Sequence, residues 1–147
     1  MQEVPEMKDV YKKILVPVDD SNQAMNALHE AIAVAKRNEA ELFILNVKDE
    51  TRLRGTSIAL AMSLEEIEEE SKQIINNLTK DFPKDVAFQT VTYIGNPKKD
   101  IVKFAEDNAM DLIVIGANSK KLVDRILIGS TTSYVVEKSP CNVMVVK

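Results

Sequence analysis

Asp111-Leu112-Ile113-Val114-Ile115-Gly116 sets four unbroken apolar β-formers between a carboxylate and a glycine. So short an apolar run, without alternation, reads as a strand buried on both faces. Strands of that kind belong to parallel sheets, whose crossover helices cover both sides. Ile14-Leu15-Val16-Pro17-Val18 has the same form and stops at Asp19-Asp20, and Leu42 to Val47 is a third such run. Val86 to Ile94 alternates loosely, is rich in β-formers and ends at Gly95, and Asn142 to Val146 closes the set.

Helical patterns separate these runs. After Ser21, a good N-cap, the residues Ala24, Leu28, Ala31, Ile32 and Ala35 recur at helical spacing up to Lys36-Arg37. Residues 48–61 show no period and read as a loop. Ser63 is expected to open a long helix with Leu64, Ile67, Ile74 and Leu78 on one face and the acidic cluster Glu65 to Glu70 near its start. Asn96-Pro97 is a strong helix start, followed by the apolar side Ile101, Val102, Phe104 and Ala105. Gly129-Ser130 begins a short helix that Ser139-Pro140 ends, because the residue before proline avoids the α region. Five strands alternate with four helices, and no repeat or linker interrupts them. The expectation is a three-layer α/β/α domain over residues 1–147, with residues 1–12 as a loose leader. Its parallel sheet should run in the order 3-2-1-4-5.

Bulk properties limit the functional classes. A chain of 147 residues can bury a sizeable core without disulfides. The formal charge of −4 argues against a nucleic-acid partner, which needs a basic face. One cysteine, Cys141, allows no internal disulfide and fits a reducing, cytoplasmic setting; it reads as a small buried hydrophobe. Met1 to Lys13 lacks the apolar core of a signal peptide, and no run approaches the roughly 18 apolar residues needed to cross a membrane. With one histidine and one cysteine, a zinc-type site is close to excluded. His29 reads as a surface residue, and Glu65 to Glu70 as a solvated face.

In a sheet of this order a ligand lies outside the carboxyl ends of the strands, where the order reverses. The loops to inspect follow Val18 and Ile115. Asp19 ends the first strand, where a carboxylate accepts hydrogen bonds from a ribose or a base; Asp20 and Ser21 read as helix caps. Gly116 permits a sharp turn and close backbone approach. Thirteen positions on, Gly129 with Ser130, Thr131 and Thr132 opens a helix whose first N–H groups lack partners, which makes a cradle for phosphate.

These residues together resemble the universal stress protein family, from Ile14 to Lys147. The likeness rests on Ile14 to Asp19, Leu112 to Gly116, Ile126-Leu127-Ile128-Gly129-Ser130, and Pro140 before the closing strand. Nucleotide-binding members carry Gly, two residues, Gly, nine residues, then Gly with Ser or Thr. Gly116, Gly129 and Ser130 match that pattern, and Ser119 stands at the second glycine. Serine keeps the backbone N–H but adds a Cβ, with a strain of about 1–3 kcal/mol if the backbone there is left-handed.

The resemblance implies a Rossmann-like sheet of the adenine nucleotide alpha hydrolase type and an ATP-like adenine nucleotide, with or without a divalent ion such as Mg. The adenine would lie near Val18, Asp19 and the backbone of Val47, with Pro17 and Ile115 beside them. Ribose would meet Asp19 and Gly116, and phosphates would meet Ser119 and Gly129 to Thr132. Lys120, Lys121 and Arg125 read as a solvated basic loop. The resemblance also implies a stress-response role and a homodimer, for which the apolar edge strand Val143 to Val146 is suited.

Three other readings compete. A slow ATPase lacks a general base near the phosphate loop and a Walker lysine pattern. A phospho-receiver domain would share the acidic pair Asp19-Asp20, but the third strand ends Tyr93-Ile94-Gly95-Asn96 with no aspartate to accept a phosphoryl group. A family member without nucleotide, acting as an interaction module, is kept open by Ser119.

Overall fold

The structure is a computed structural model that describes residues 10–53, 55–118 and 128–147. Its elements follow in chain order. They are β1 (Lys13–Pro17), α1 (Asn22–Asn38), β2 (Glu41–Asp49), a 3-10 turn (Glu50–Arg52), α2 (Ser57–Thr79), β3 (Phe88–Gly95), α3 (Pro97–Asp107), β4 (Leu112–Gly116), α4 (Ser130–Lys138) and β5 (Asn142–Val146). All strand pairs are parallel, as the alternation of strands and helices requires, and the sheet order is the expected β3-β2-β1-β4-β5.

The side-chain alternation of a strand explains the unbroken apolar runs. Ile14, Val16, Leu42, Ile44, Leu112 and Val114 face one side, where α1 and α2 cover them with Ala27, Ala31, Ile74 and Ile75. Leu15, Phe43, Leu45, Ile113 and Ile115 face the other, against Ile101, Phe104 and Ala105 of α3 and Val135 of α4. Each of these strands therefore needs apolar residues at odd and even positions alike. Fully burying one such side chain is worth roughly 1.5–3 kcal/mol.

Several boundaries differ from the sequence reading. Helix α2 starts at Ser57, capped by the Thr56 hydroxyl, which accepts from the Ala59 N–H at 3.3 Å. The first two turns bury nothing: Ile58 is 76% exposed and Met62 66% exposed. With no buried face there is no hydrophobic period to read, and the helix begins six residues before the expected Ser63. Strand β2 continues through Lys48 and Asp49, polar residues that still pair with Ile94 and Gly95 of β3. Strand β3 starts at Phe88 instead of Val86, and its residues are mostly exposed, as befits an edge. Cys141 is half-buried, not buried, and its N–H donates to the Ser139 hydroxyl at 3.2 Å.

Two features open the sheet at its carboxyl end. Strands β1 and β4 pair only at Ile14↔Leu112 and Leu15↔Ile113, then diverge. The β1–β2 ladder ends at Pro17↔Leu45, whereas β2 and β3 remain paired to Asp49↔Gly95. A crevice therefore forms beyond β1, at the point where the strand order reverses.

Candidate functional site

A cleft of about 810 Å³ occupies this crevice. That lies within the roughly 300–1,000 Å³ typical of small-molecule sites. Pro17 lines it from the end of β1, Val18 and Asp19 from the loop that follows, Val47 from β2, Ile115 and Gly116 from β4, and Thr131 and Thr132 from α4. Gly129 and Ser130 do not line it, and Ser119, Lys120, Lys121 and Arg125 lie outside the described residues. The cleft also takes in Asn46, Lys48, Asp49 and Arg52 from the β2 end, Glu70, Gln73 and Asn77 from α2, and Pro97 and Ile101 from α3. Sequence reasoning missed these nine. Only Asn46 carried a visible signal, as the one amide in an otherwise apolar run.

Asp19 combines a structural and an open role. Its Oδ1 accepts the Ser21 N–H at 2.9 Å, an Asx turn that sets up the Ser21 cap, whose Oγ accepts from Ala24 N–H at 3.0 Å. Among the described residues nothing bonds its second oxygen.

Gly116 has a reason the sequence did not reveal. Its φ lies outside the left-handed region. A Cβ there would come within 3.0 Å of the Gln23 carbonyl carbon and 3.1 Å of its oxygen. The missing side chain lets the start of α1 cross β4 closely, and the Gln23 Oε1 then accepts the Asn118 N–H at 2.8 Å. Close approach is indeed the reason for this glycine, but the approaching group is a helix of the same chain.

The start of α4 is similarly tied down. Gly129 is the N-cap, extended at φ −63° and ψ 157°, with no side-chain cap. Its N–H donates to the Ala117 carbonyl at 2.8 Å, and Thr132 Oγ1 donates to the Gly116 carbonyl at 2.8 Å. Neither hydrogen is therefore free to be donated to a ligand. The first helical bond runs from Ser133 N–H to Gly129 C=O at 2.9 Å. The N–H groups of Ser130, Thr131 and Thr132 precede it and have no helical acceptor, at the positive end of the helix dipole.

The end of β2 offers a second kind of contact. Glu41 N–H donates to Lys12 C=O and Leu45 C=O accepts from Val18 N–H, so the odd-numbered residues of β2 point their backbone groups toward β1. Val47 is the next in that series and lies past the end of β1. Among the described residues nothing bonds its N–H or C=O. Nearby, Asn46 Nδ2 donates to the Val18 carbonyl at 2.8 Å, and Ser71 Oγ donates to Asn46 Oδ1 at 2.9 Å.

The β2–α2 side is ion-paired. The Arg52 guanidinium grips Glu70 through two bonds of 2.7 and 3.0 Å, with Lys48 Nζ 3.5 Å from the same carboxylate. Hydrogen bonding from Arg52 pulls the Glu70 carboxyl down to about 2, and the same bond holds Arg52 above its ordinary value. No group of three His, Cys, Asp or Glu among the described residues is placed to hold a metal ion.

Fold and cleft together define a doubly wound α/β protein with a cleft at its topological switch point. The chain belongs to the universal stress protein family, whose model matches residues 10–147. The universal stress protein MJ0577 of Methanocaldococcus jannaschii is 35% identical, over 96% of this chain and 98% of its own length. Among solved structures, universal stress protein UspA from Lactobacillus plantarum has a TM-score of 0.85 and 33% identity, over 95% of this chain and all of that one. Two more distant members share the fold. One from Archaeoglobus fulgidus was solved in complex with dAMP (TM-score 0.64, 23% identity, 94% of this chain and 99% of that one). Another was solved in complex with cAMP (TM-score 0.60, 20% identity, 93% of this chain and 97% of that one). None of the described helices is long and apolar enough to cross a membrane.

Proposed function

We propose that this chain binds ATP or a related adenine nucleotide in the cleft and works as a cytoplasmic homodimer in stress regulation. The observation that carries the reading is the unbonded backbone edge of Val47. Adenine presents a ring-nitrogen acceptor beside its N6 amino donor, which matches one N–H and one C=O of the same residue. Guanine presents N7 and O6 as two acceptors on the corresponding edge, and one of them would face the Val47 carbonyl. The two nucleotides named with distant relatives, dAMP and cAMP, share the adenine base and differ in sugar and phosphate, which favours recognition through the base.

Charge then orients the rest. The Asp19 carboxylate repels phosphate and accepts from a ribose hydroxyl. The N–H groups at the start of α4 attract the phosphates. A calorimetric titration tests the reading. ATP should bind at one site per chain and GTP at least about tenfold more weakly, since a mispaired polar edge costs 1 kcal/mol or more. Absence of binding by ATP, ADP, AMP and cAMP alike would leave the nucleotide-free interaction module. One observation favours that second reading: Gly116, Thr132 and the Gly129 N–H all have internal partners that explain them without a ligand.

The dimer part has its own test. Among the described residues strand β5 pairs with β4 alone, and its Met144 and Val145 are 37% and 36% exposed. Val146 C=O accepts the Ala117 N–H, so the backbone groups of Val143 and Val145 point away from β4. Val145→Pro removes an outward N–H and leaves the β4–β5 ladder intact, as edge strands tolerate. Sedimentation should then show a folded monomer where the parent chain is a dimer. A dimer that survives the change would place the interface elsewhere.

A further inference from the structure

Strand β2 hydrogen-bonds to β1 with a fixed offset: Glu41 N–H to Lys12 C=O at one end, and Leu45 C=O from Val18 N–H at the other. Continued by one rung, that register would send the Val47 N–H to the Val18 carbonyl. The rung is missing, and the ladder stops at Pro17↔Leu45. The Val18 carbonyl is instead taken by Asn46 Nδ2 at 2.8 Å. Asn46 is 2% exposed and Ser71 4% exposed. The Ser71 hydroxyl, donating to Asn46 Oδ1 at 2.9 Å, fixes which end of the amide is the donor. A buried amide in the middle of an apolar strand is costly unless every polar group finds a partner, and here the amide bridges three elements.

We propose that Asn46, anchored by Ser71, is a positioning residue for base recognition: it occupies the Val18 carbonyl and so keeps the Val47 N–H available to the ligand. The first half concerns the empty protein. The second rests on the reading of Val47 as the adenine-binding edge. Asn46 also holds the end of β1 at Val18, one residue before Asp19, so the base edge and the ribose carboxylate are set by one side chain.

Amide hydrogen exchange followed by NMR separates the two halves. In the parent chain Val47 should exchange at least about tenfold faster than Leu45, whose N–H points to β1 within the ladder. In Asn46→Leu the donor is gone, the Val18 carbonyl turns to the Val47 N–H, and Val47 exchange should slow about tenfold or more. ATP affinity should fall about tenfold, and the preference for ATP over GTP should collapse. Ser71→Ala, a milder change, should shift both readouts in the same direction by a smaller factor. Asn46→His puts a ring N–H at the same distance from Cβ and should restore fast exchange and base preference. A merely structural role for Asn46 would lower stability without altering the ATP-to-GTP ratio. Slow exchange of Val47 in the parent chain, or exchange unchanged in Asn46→Leu and Ser71→Ala, would overturn the proposal. Fast exchange that slows as expected, in a chain with no preference for ATP, would refute the adenine reading alone and leave the interrupted ladder standing.

Discussion

Gly116→Ala is expected to lower the folding stability by about 1–3 kcal/mol, the usual cost of overpacking, in nucleotide-free protein. The added Cβ would sit 3.0 Å from the Gln23 carbonyl carbon and 3.1 Å from its oxygen and Cβ, all on or next to helical backbone. Backbone cannot swing aside as a side-chain tip does, so α1 must lift from β4. That lift also strains the bond from Asn118 N–H to Gln23 Oε1. Urea unfolding at matched m-values checks the change, and thermal unfolding should show a loss of roughly 2–4 °C per kcal/mol in a chain of this length. Unchanged stability with lost nucleotide affinity would instead assign the glycine to the ligand.

Asp19→Asn should have the opposite profile. The amide keeps an oxygen for the Ser21 N–H, so the Asx turn and the Ser21 cap survive, and stability should move by less than about 0.5 kcal/mol. The second carboxylate oxygen becomes a donor and can no longer accept from a ribose hydroxyl. Hydrogen bonds to a charged group are worth about 1.5–3 kcal/mol, so adenosine-nucleotide affinity should fall about 10- to 100-fold. Calorimetry with ATP on both chains measures it. Equal affinities would remove Asp19 from the site.

These two residues show where sequence reasoning reaches and where it stops. Strands β1 and β4 were legible because both their faces are buried, which forces apolar residues at every position. The start of α3 was legible because capping is local: Asn96 Oδ1 accepts from Lys99 N–H three residues on. The start of α2 was hidden because its first turns lie in solvent and carry no period. Lys48 and Asp49 did not read as strand because only the pairing with β3, far along the chain, makes them so.

The same division holds in the cleft. Asp19 and Gly116 line the cleft and were singled out from their places at strand ends, which topology dictates, whereas Gly129, singled out at a helix start, does not line it. The internal partners were not legible, because the contact of Gly116 with Gln23 and the bond from Thr132 to Gly116 join residues distant in sequence. Arg52 and Lys48 reach Glu70 from a turn and a polar strand end that carry no apolar period, whereas Glu70 itself lies within the legible part of α2. Asn46 was the exception that offered a clue, since an amide inside Leu42 to Val47 has to find partners somewhere.

The central claim is that the carboxyl ends of β1, β2 and the start of α4 form one adenine-nucleotide site. Titrating isotope-labelled protein with ATP, and following the backbone amides by NMR, tests it most directly. The account predicts the largest shifts at Val47, Asp19 and Ser130 to Thr132 together, saturating at one equivalent. Shifts confined to other faces of the sheet, or none up to millimolar ATP, would contradict it.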